Sequence, residues 1–443
     1  MDMMLGPEPE TNTADFDEKP IKMEDPIDEK PPDPKDEAAE QKKNEILKAC
    51  KTRDFAALRT LAASPGGFLT DTIRQQAWPL LLGIPPPSDT KPEEEEEEKE
   101  EEKEEEEKEE EKEDWKSLPP HKDESQVQLD VNRAFVYYPN DQNDTQLSHS
   151  KTLLSTLIIR TLRHHPYLSY FQGYHDICQV LLLTLPSALQ PAALAHLSLL
   201  RIRDFMLPNL HPAIAQLRLL PDILRSSDPE LWQHLSSTEP FFALSGTLTM
   251  YAHDITSLGE ITRLFDVLLA RDPVFSLYLF AAIVRSRRGE LLDIPEDEPE
   301  MLHSVLSKLP QPLDLEGLIS QAVELEREYP PEGLRGWGRG ISRWSVLKTG
   351  RGEGVYRQGL EEGREAFEKQ VRELEWRERV TRIGKVVRRN RGVVRGVGFA
   401  VLVAVVGVVV RRFVHHQPGY GGYGERGGML EYVMGLVGRG WVR

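Results

Sequence analysis

The chain has 443 residues and a formal net charge of −18, yet residues 93–114 alone hold 18 acidic residues against four lysines, a net of −14 that leaves only −4 for the rest. With 39% hydrophobic residues there is enough apolar material for a full core, so disorder throughout is excluded. No basic face is concentrated on the folded part, so nucleic acid is not an expected partner, and two distant cysteines, Cys50 and Cys178, fit a reduced compartment and no Cys/His metal spacing.

Residues 1–43 are rich in Pro, Asp, Glu and Lys, lack the apolar stretch of a secretory signal, and are expected to be a disordered acidic tail. Helical periodicity starts at Asn44. FLTDTIRQQAWPLLLG (68–83) predicts a helix with Thr70 or Asp71 as cap, Ile73, Ala77 and Leu80 on one face, and Gly83 as the stop. The Glu-rich run 93–114, within an insert spanning 85–125, has too few lysines to offset i,i+4 repulsion and is expected to be a solvated loop.

Helical patterns then recur without strand alternation: KTLLSTLIIRTLRHH (151–165), YHDICQVLLLTLP from Tyr174, AALAHLSLLRIRDF (192–205), FFALSGTLTMYAHDI (241–255), ITRLFDVLLARDP (261–273) and VFSLYLFAAIVRSRR (274–288). Pro166, Pro186, Pro208, Pro221, Pro273 and Pro310 fall between them as helix stops. The fold class that follows is all-α over 44–330, and no fixed repeat period marks a solenoid. Residues 330–354, rich in Gly, Arg and Pro, are expected to be a linker, and 331–395 a linker plus charged helix that ends in basic residues from Arg382 to Arg395.

The run GVGFAVLVAVVGVVV (396–410) is apolar all round. Fifteen residues reach about 22 Å, short of a roughly 30 Å hydrocarbon core, but snorkelling by Arg395, Arg411 and Arg412 allows Val393 to Val414 to span. The expectation is a single-pass C-terminal transmembrane anchor at 396–414 with a short tail at 415–443, a buried core helix being the alternative. The heavier positive charge ahead of the span puts the N-terminal part in the cytosol.

Two polar motifs stand out. VQLDVNRAF (127–135) sets Asp130 and Arg133 one i,i+3 step apart, where a carboxylate can aim a guanidinium; spacing alone equally describes an ordinary surface ion pair. YFQGYHDIC (170–178) places Gln172 and Gly173 where the chain turns into a helix, either to present an amide to a ligand or simply to cap that helix, with His175 and Asp176 as a polar pair or part of the cap. His164 and His165 fit the end of the preceding helix, and Trp78, Phe241, Phe242 and Phe265 are expected in the core. The phosphate loop GxxxxGK[ST], HExxH, GxSxG and GxGxxG are all missing, which removes the minimal parts of an ATPase, zinc hydrolase or serine hydrolase.

Taken together, VQLDVNR and the YFQG that begins 37 residues after Arg133 resemble the paired IxxDxxR and YxQG signatures of TBC-domain Rab GTPase-activating proteins. IRQQAWPLLLG, RIRDFM, FFALSGTLTMYAHDI and RLFDVLLARDP resemble further family segments in family order, across about residues 44–330. Val127 stands where isoleucine is usual. The resemblance implies that Arg133 is an arginine finger and Gln172 positions water, both offered in trans to a Rab GTPase, with Asp130, Tyr170 and Gly173 in support. No cofactor of its own is implied, because GTP and Mg²⁺ belong to the partner. HPYLSYFQGYHDI with the C-terminal run resembles the membrane-anchored endoplasmic-reticulum branch, which implies ER-to-Golgi traffic; a catalytically silent Rab-binding scaffold or tether is the alternative.

Overall fold

The computed structural model describes residues 34–84, 115–139, 142–390, 403 and 405–408, and the chain divides into two compact units, Met1–Arg364 and Glu365–Arg443. The described residues form helices joined by turns and loops, with no strand among them. The principal helices are α1 (Pro34–Thr52), α2 (Phe55–Ala63), α3 (Asp71–Leu82), α4 (Glu124–Val131), α5 (Asp144–His164), α6 (Tyr174–Thr184), α7 (Gln190–Leu200), α8 (Leu219–Ser227), α9 (Leu258–Ala270), α10 (Phe275–Ser286), α11 (Leu315–Glu328) and α12 (Leu360–Arg389), with shorter helical turns between several of them.

The first unit is built around α9 and α10. Every residue of α9 from Ile261 to Ala270 is buried, as are nine residues of α10; the apolar ones form the core, and the buried Thr262, Arg263 and Asp266 of α9 are hydrogen-bonded. Helices α2, α3, α6 and α11 pack on α9, and α8 and α11 pack on α10. Each fully buried leucine or phenylalanine contributes about 1.5–3 kcal/mol relative to exposure. The N-terminal helices are tied to this centre by one buried carboxylate. Asp266 accepts from Arg74 Nε (3.0 Å) and Nη2 (3.2 Å), from Trp78 Nε1 (2.8 Å) and from the Phe68 backbone N–H (2.9 Å).

Helix ends follow local chemistry. Asn143 forms a capping box with Gln146 at the start of α5, and Gly83 takes the left-handed conformation that closes α3. Thr70 is the N-cap of α3 without a side-chain bond; Asp71 sits in the first turn and pairs with Arg74 at 2.7 Å. Pro221 falls in the first turn of α8, where its missing N–H costs nothing.

Five expectations change. Helix α1 starts ten residues before Asn44, because AAEQKK is made of good helix formers. The folded chain resumes at Trp115 rather than after 125: Arg163 lies over the Trp115 ring at 5.4 Å and pairs with Glu124, and buried His121 Nε2 meets the Leu168 carbonyl at 3.0 Å. Residues 241–255 do not form one helix; a 3-10 turn at Pro240–Ala243 and a short helix Leu244–Leu248 are followed by Met250 and Tyr251 at positive φ. There the Tyr251 N–H bonds the Gly246 carbonyl at 2.7 Å and its ring lies close over Gly246.

The stretch 330–354 is not a loose linker. Trp337, Ile341, Val346 and Leu347 are buried, and Asp204 accepts from Ser345 Oγ (2.5 Å) and the Val346 N–H (3.1 Å). Phe241 is 44% exposed, whereas Trp78, Phe242 and Phe265 are core. Residues 1–33 of the expected tail 1–43, most of the Glu-rich insert and most of the expected span 396–414 lie outside the described residues. Within that span, Val403, Val405, Val406 and Val408 are helical and exposed. No helix among the described residues is long and apolar enough to cross a membrane.

Candidate functional site

Helix α4 ends at Val131, and Arg133 follows in the turn beyond it, its N–H bonded to the Asp130 carbonyl at 3.0 Å. The Asp130 carboxylate is fully buried, while the Arg133 side chain is 64% exposed and donates to Asp130 Oδ1 through Nη2. Asp130 is held from two other sides, by Gln126 Nε2 at 3.1 Å and the Tyr170 hydroxyl at 3.0 Å. A buried anion with three donors is therefore a fixed anchor for an exposed cation. The rest of the guanidinium points away into solvent.

Tyr170 belongs to the loop before α6, whose position is set by its N–H donating to Asp123 at 3.0 Å. Burial and the adjoining Asp130 push its phenol far above the ordinary value, so it stays a donor. The same hydroxyl lies 3.3 Å from His175 Nδ1, and His175 Nε2 lies 3.3 Å from Asp176 Oδ1. His253 Nδ1 then meets Asp176 Oδ2 at 2.9 Å. One polar chain thus runs from Arg133 through Asp130, Tyr170, His175 and Asp176 to His253. Burial lowers the His175 pKa below its ordinary 6.5, against the pull of Asp176 and Asp130.

The Tyr174 N–H bonds the Phe171 carbonyl at 3.1 Å, so residues 171–174 form a turn, and Gly173 has φ +99° and ψ −10°. Those are the angles of the third residue of a type II turn, which calls for glycine. The turn leaves Gln172 at an exposed corner, and its side chain makes no hydrogen bond among the described residues; the α6 N-cap is Gly173, without a side-chain cap. The capping reading of Gln172 is therefore replaced by an open amide. A Cβ on Gly173 would come within 2.5 Å of Thr249 Cγ2. Gly173→Ala is expected to destabilise this turn by about 1–3 kcal/mol, and thermal melting of the variant measures it.

Arg133, Gln172, Gly173, His175, Asp176 and His253 line one cleft of about 480 Å³. Its other wall, residues 134–138, hangs on buried Gln179, whose Oε1 accepts from the Phe135 N–H (3.1 Å) and whose Nε2 donates to the Tyr138 carbonyl (3.0 Å). Gln179 and His253 were not singled out from sequence. For Gln179 a signal existed: an amide inside CQVLLLTLP must find partners when buried. His253 carried none beyond its place in MYAHDI.

The Asp176 hydrogen bond raises the His253 pKa above 6.5, against partial burial, with Asp254 adding to the rise. A raised folded-state pKa means the ion pair is fully present below the ordinary value and is lost as pH climbs through the raised one. The melting-temperature gap between the protein and His253→Ala is therefore expected to be largest near pH 6 and to shrink by about pH 8, small throughout because the ring is well exposed. A gap that grew with pH would contradict the pairing. The described residues contain no cluster of His, Cys, Asp and Glu suited to a metal.

The Rab-GTPase-TBC domain family model matches residues 71–292, half of the chain. This chain belongs to that family. TBC1 domain family member 20 of Mus musculus is 35% identical over 287 residues, 63% of this chain and 65% of its own length. GTPase-activating protein gyp10 of Schizosaccharomyces pombe is 30% identical over 313 residues, 70% of this chain and 78% of its own. The match thus spans a little under two thirds of the mouse TBC protein. The Ypt/Rab-GAP domain of Gyp1p is similar in structure with a TM-score of 0.49 and 18% identity, over 64% of this chain and 99% of that domain.

Proposed function

We propose that this TBC protein is a GTPase-activating protein for Rab-family small GTPases, supplying Arg133 and Gln172 in trans to a GTP-bound partner. The observation that carries this reading is the pairing in one cleft of an exposed arginine aimed by a buried carboxylate and an exposed glutamine with no partner of its own. A residue that only stabilised the fold would not be anchored this way and left open.

Hydrolysis gathers negative charge on the transferring phosphoryl group and needs an oriented water. Arg133, its Nη2 held by Asp130, offers its remaining N–H groups to that charge; Gln172, at the corner of a rigid turn, offers an amide that both donates to and accepts from a water. GTP and Mg²⁺ come with the GTPase. Leu129, Val136 and Tyr137, 61%, 70% and 49% exposed within four residues of Arg133, add apolar area on which a protein partner can settle. In this reading the run 396–414 anchors the chain at the endoplasmic reticulum with the domain in the cytosol, acting in ER-to-Golgi traffic; the basic residues ahead of the run support that orientation.

Single-turnover GTP hydrolysis by a panel of Rabs, with and without the full chain, tests the function. Acceleration of at least one Rab is expected, and Gln172→Ala is expected to cut it by about 10²-fold while Rab binding persists. No acceleration of any Rab, with binding retained, would instead make the chain a scaffold.

A further inference from the structure

Helix α12 runs 30 residues, but its two halves differ. Ala366, Phe367 and Gln370 in the first half are buried, whereas from 375 to 389 no described side chain is. In that second half Trp376, Val380 and Ile383 are 63%, 46% and 62% exposed. Their four-then-three spacing sets them along one stripe of the helix. Three large apolar side chains in a row on solvent are an unfinished surface.

Charge decides what completes it. Arg377 and Arg379, beside Trp376, pair with Glu373 and Glu375 one turn back. Beyond Glu378, however, the sequence contains no acidic residue until Glu425, while Arg382, Lys385, Arg388 and Arg389 continue the helix. Lys385, Arg388 and Arg389 have no acidic partner among the described residues. A second copy packed in parallel on the stripe would bring Arg382 and Arg388 against their own kind with no acidic residue beyond Glu378 to offset them, which disfavours a coiled coil. A flat anionic surface meets both features: Arg382 and Arg388, about 120° round the helix on either side of the stripe, reach headgroups by snorkelling, and the acyl boundary takes the apolar stripe. Gly384 has open space around it and weakens the helix in water, as suits a segment whose helicity is completed by a surface.

We propose that residues 375–389 form an interfacial helix that lies on anionic lipid, with Trp376, Val380 and Ile383 inserted below the headgroups. The proposal concerns α12 alone and stands apart from both Rab activation and the anchor at 396–414. The full chain, labelled with an environment-sensitive fluorophore at Ile383→Cys or at Glu378→Cys on the opposite face, is mixed with vesicles of phosphatidylcholine or of phosphatidylcholine with phosphatidylserine. Native Cys50 and Cys178 are both buried. A blue shift and quenching by brominated lipid are expected at 383 and not at 378, stronger with phosphatidylserine, and Arg382→Glu with Arg388→Glu should abolish that lipid dependence. Hydrogen exchange of the unlabelled chain should slow over 376–389 in the same vesicles. Equal signals at 378 and 383, signals indifferent to phosphatidylserine, absence of vesicle binding, or self-quenching between copies without lipid would each overturn the proposal. A chain held on vesicles by its apolar run but showing no shift at 383 would do so while leaving the anchor intact.

Discussion

Replacing Arg133 by alanine is expected to lower the Rab GTPase rate reached with this protein by about 10³-fold or more, the contribution of an arginine supplied in trans, or at least about 4 kcal/mol of barrier. The fold should survive it. Arg133 is mostly exposed, and Asp130 keeps two of its three donors, Gln126 and Tyr170, so the buried carboxylate is not stranded. Arg133→Lys should recover little, because an ammonium cannot hold Asp130 through one N–H while presenting a planar fork to phosphate oxygens. Tyr170→Phe should act in the same direction and less strongly, since it removes one of the donors that fix Asp130 without touching the guanidinium. Single-turnover hydrolysis at saturating chain, alongside Rab-binding measurements, separates chemistry from docking. Arg133→Ala at the rate of the unmodified protein would end the arginine-finger assignment, whatever the fold family.

What was legible in the sequence follows from which signals are local. Helices α3, α5, α6, α9 and α10 showed themselves by periodicity and by proline or glycine at their ends, because each buries a stripe or all of its surface. The segment 241–255 misled because its apolar content is that of a helix, while its end is set by a contact between Tyr251 and Gly246 that depends on the fold. Residues 330–354 misled in the opposite sense: Gly and Arg dominate the composition, and the sparse apolar residues Trp337, Ile341, Val346 and Leu347 are the ones that pack. At the site, the motifs named Asp130, Arg133, Tyr170, Gln172 and Gly173 through family resemblance, and the fold brings all five to one place. The bridges from Tyr170 to His175 and from Asp176 to His253 join residues up to 77 positions apart and have no sequence period, so only the fold displays them.

The largest expected effect on stability lies away from the cleft, at Asp266. Its carboxylate is 0% exposed and takes four hydrogen bonds: two from Arg74, one from Trp78 and one from the Phe68 backbone. Asp266→Ala removes the acceptor for all four and leaves the Arg74 guanidinium, 8% exposed, facing the core. Breaking a buried pair from one side costs about 3–5 kcal/mol, a large share of the 5–15 kcal/mol that holds an ordinary domain together. Asp71 offers an internal comparison: it also pairs with Arg74, at 2.7 Å, but is 52% exposed, so Asp71→Ala should cost no more than about 1 kcal/mol. Asp266→Leu with Arg74→Met should regain part of the loss by removing both charges together, yet not all of it, because Trp78 Nε1 and the Phe68 N–H still lack their acceptor. Thermal melting of the four proteins ranks them directly, and Asp266→Ala melting no lower than Asp71→Ala would show that this carboxylate is not what ties α3 and the turn before it to α9.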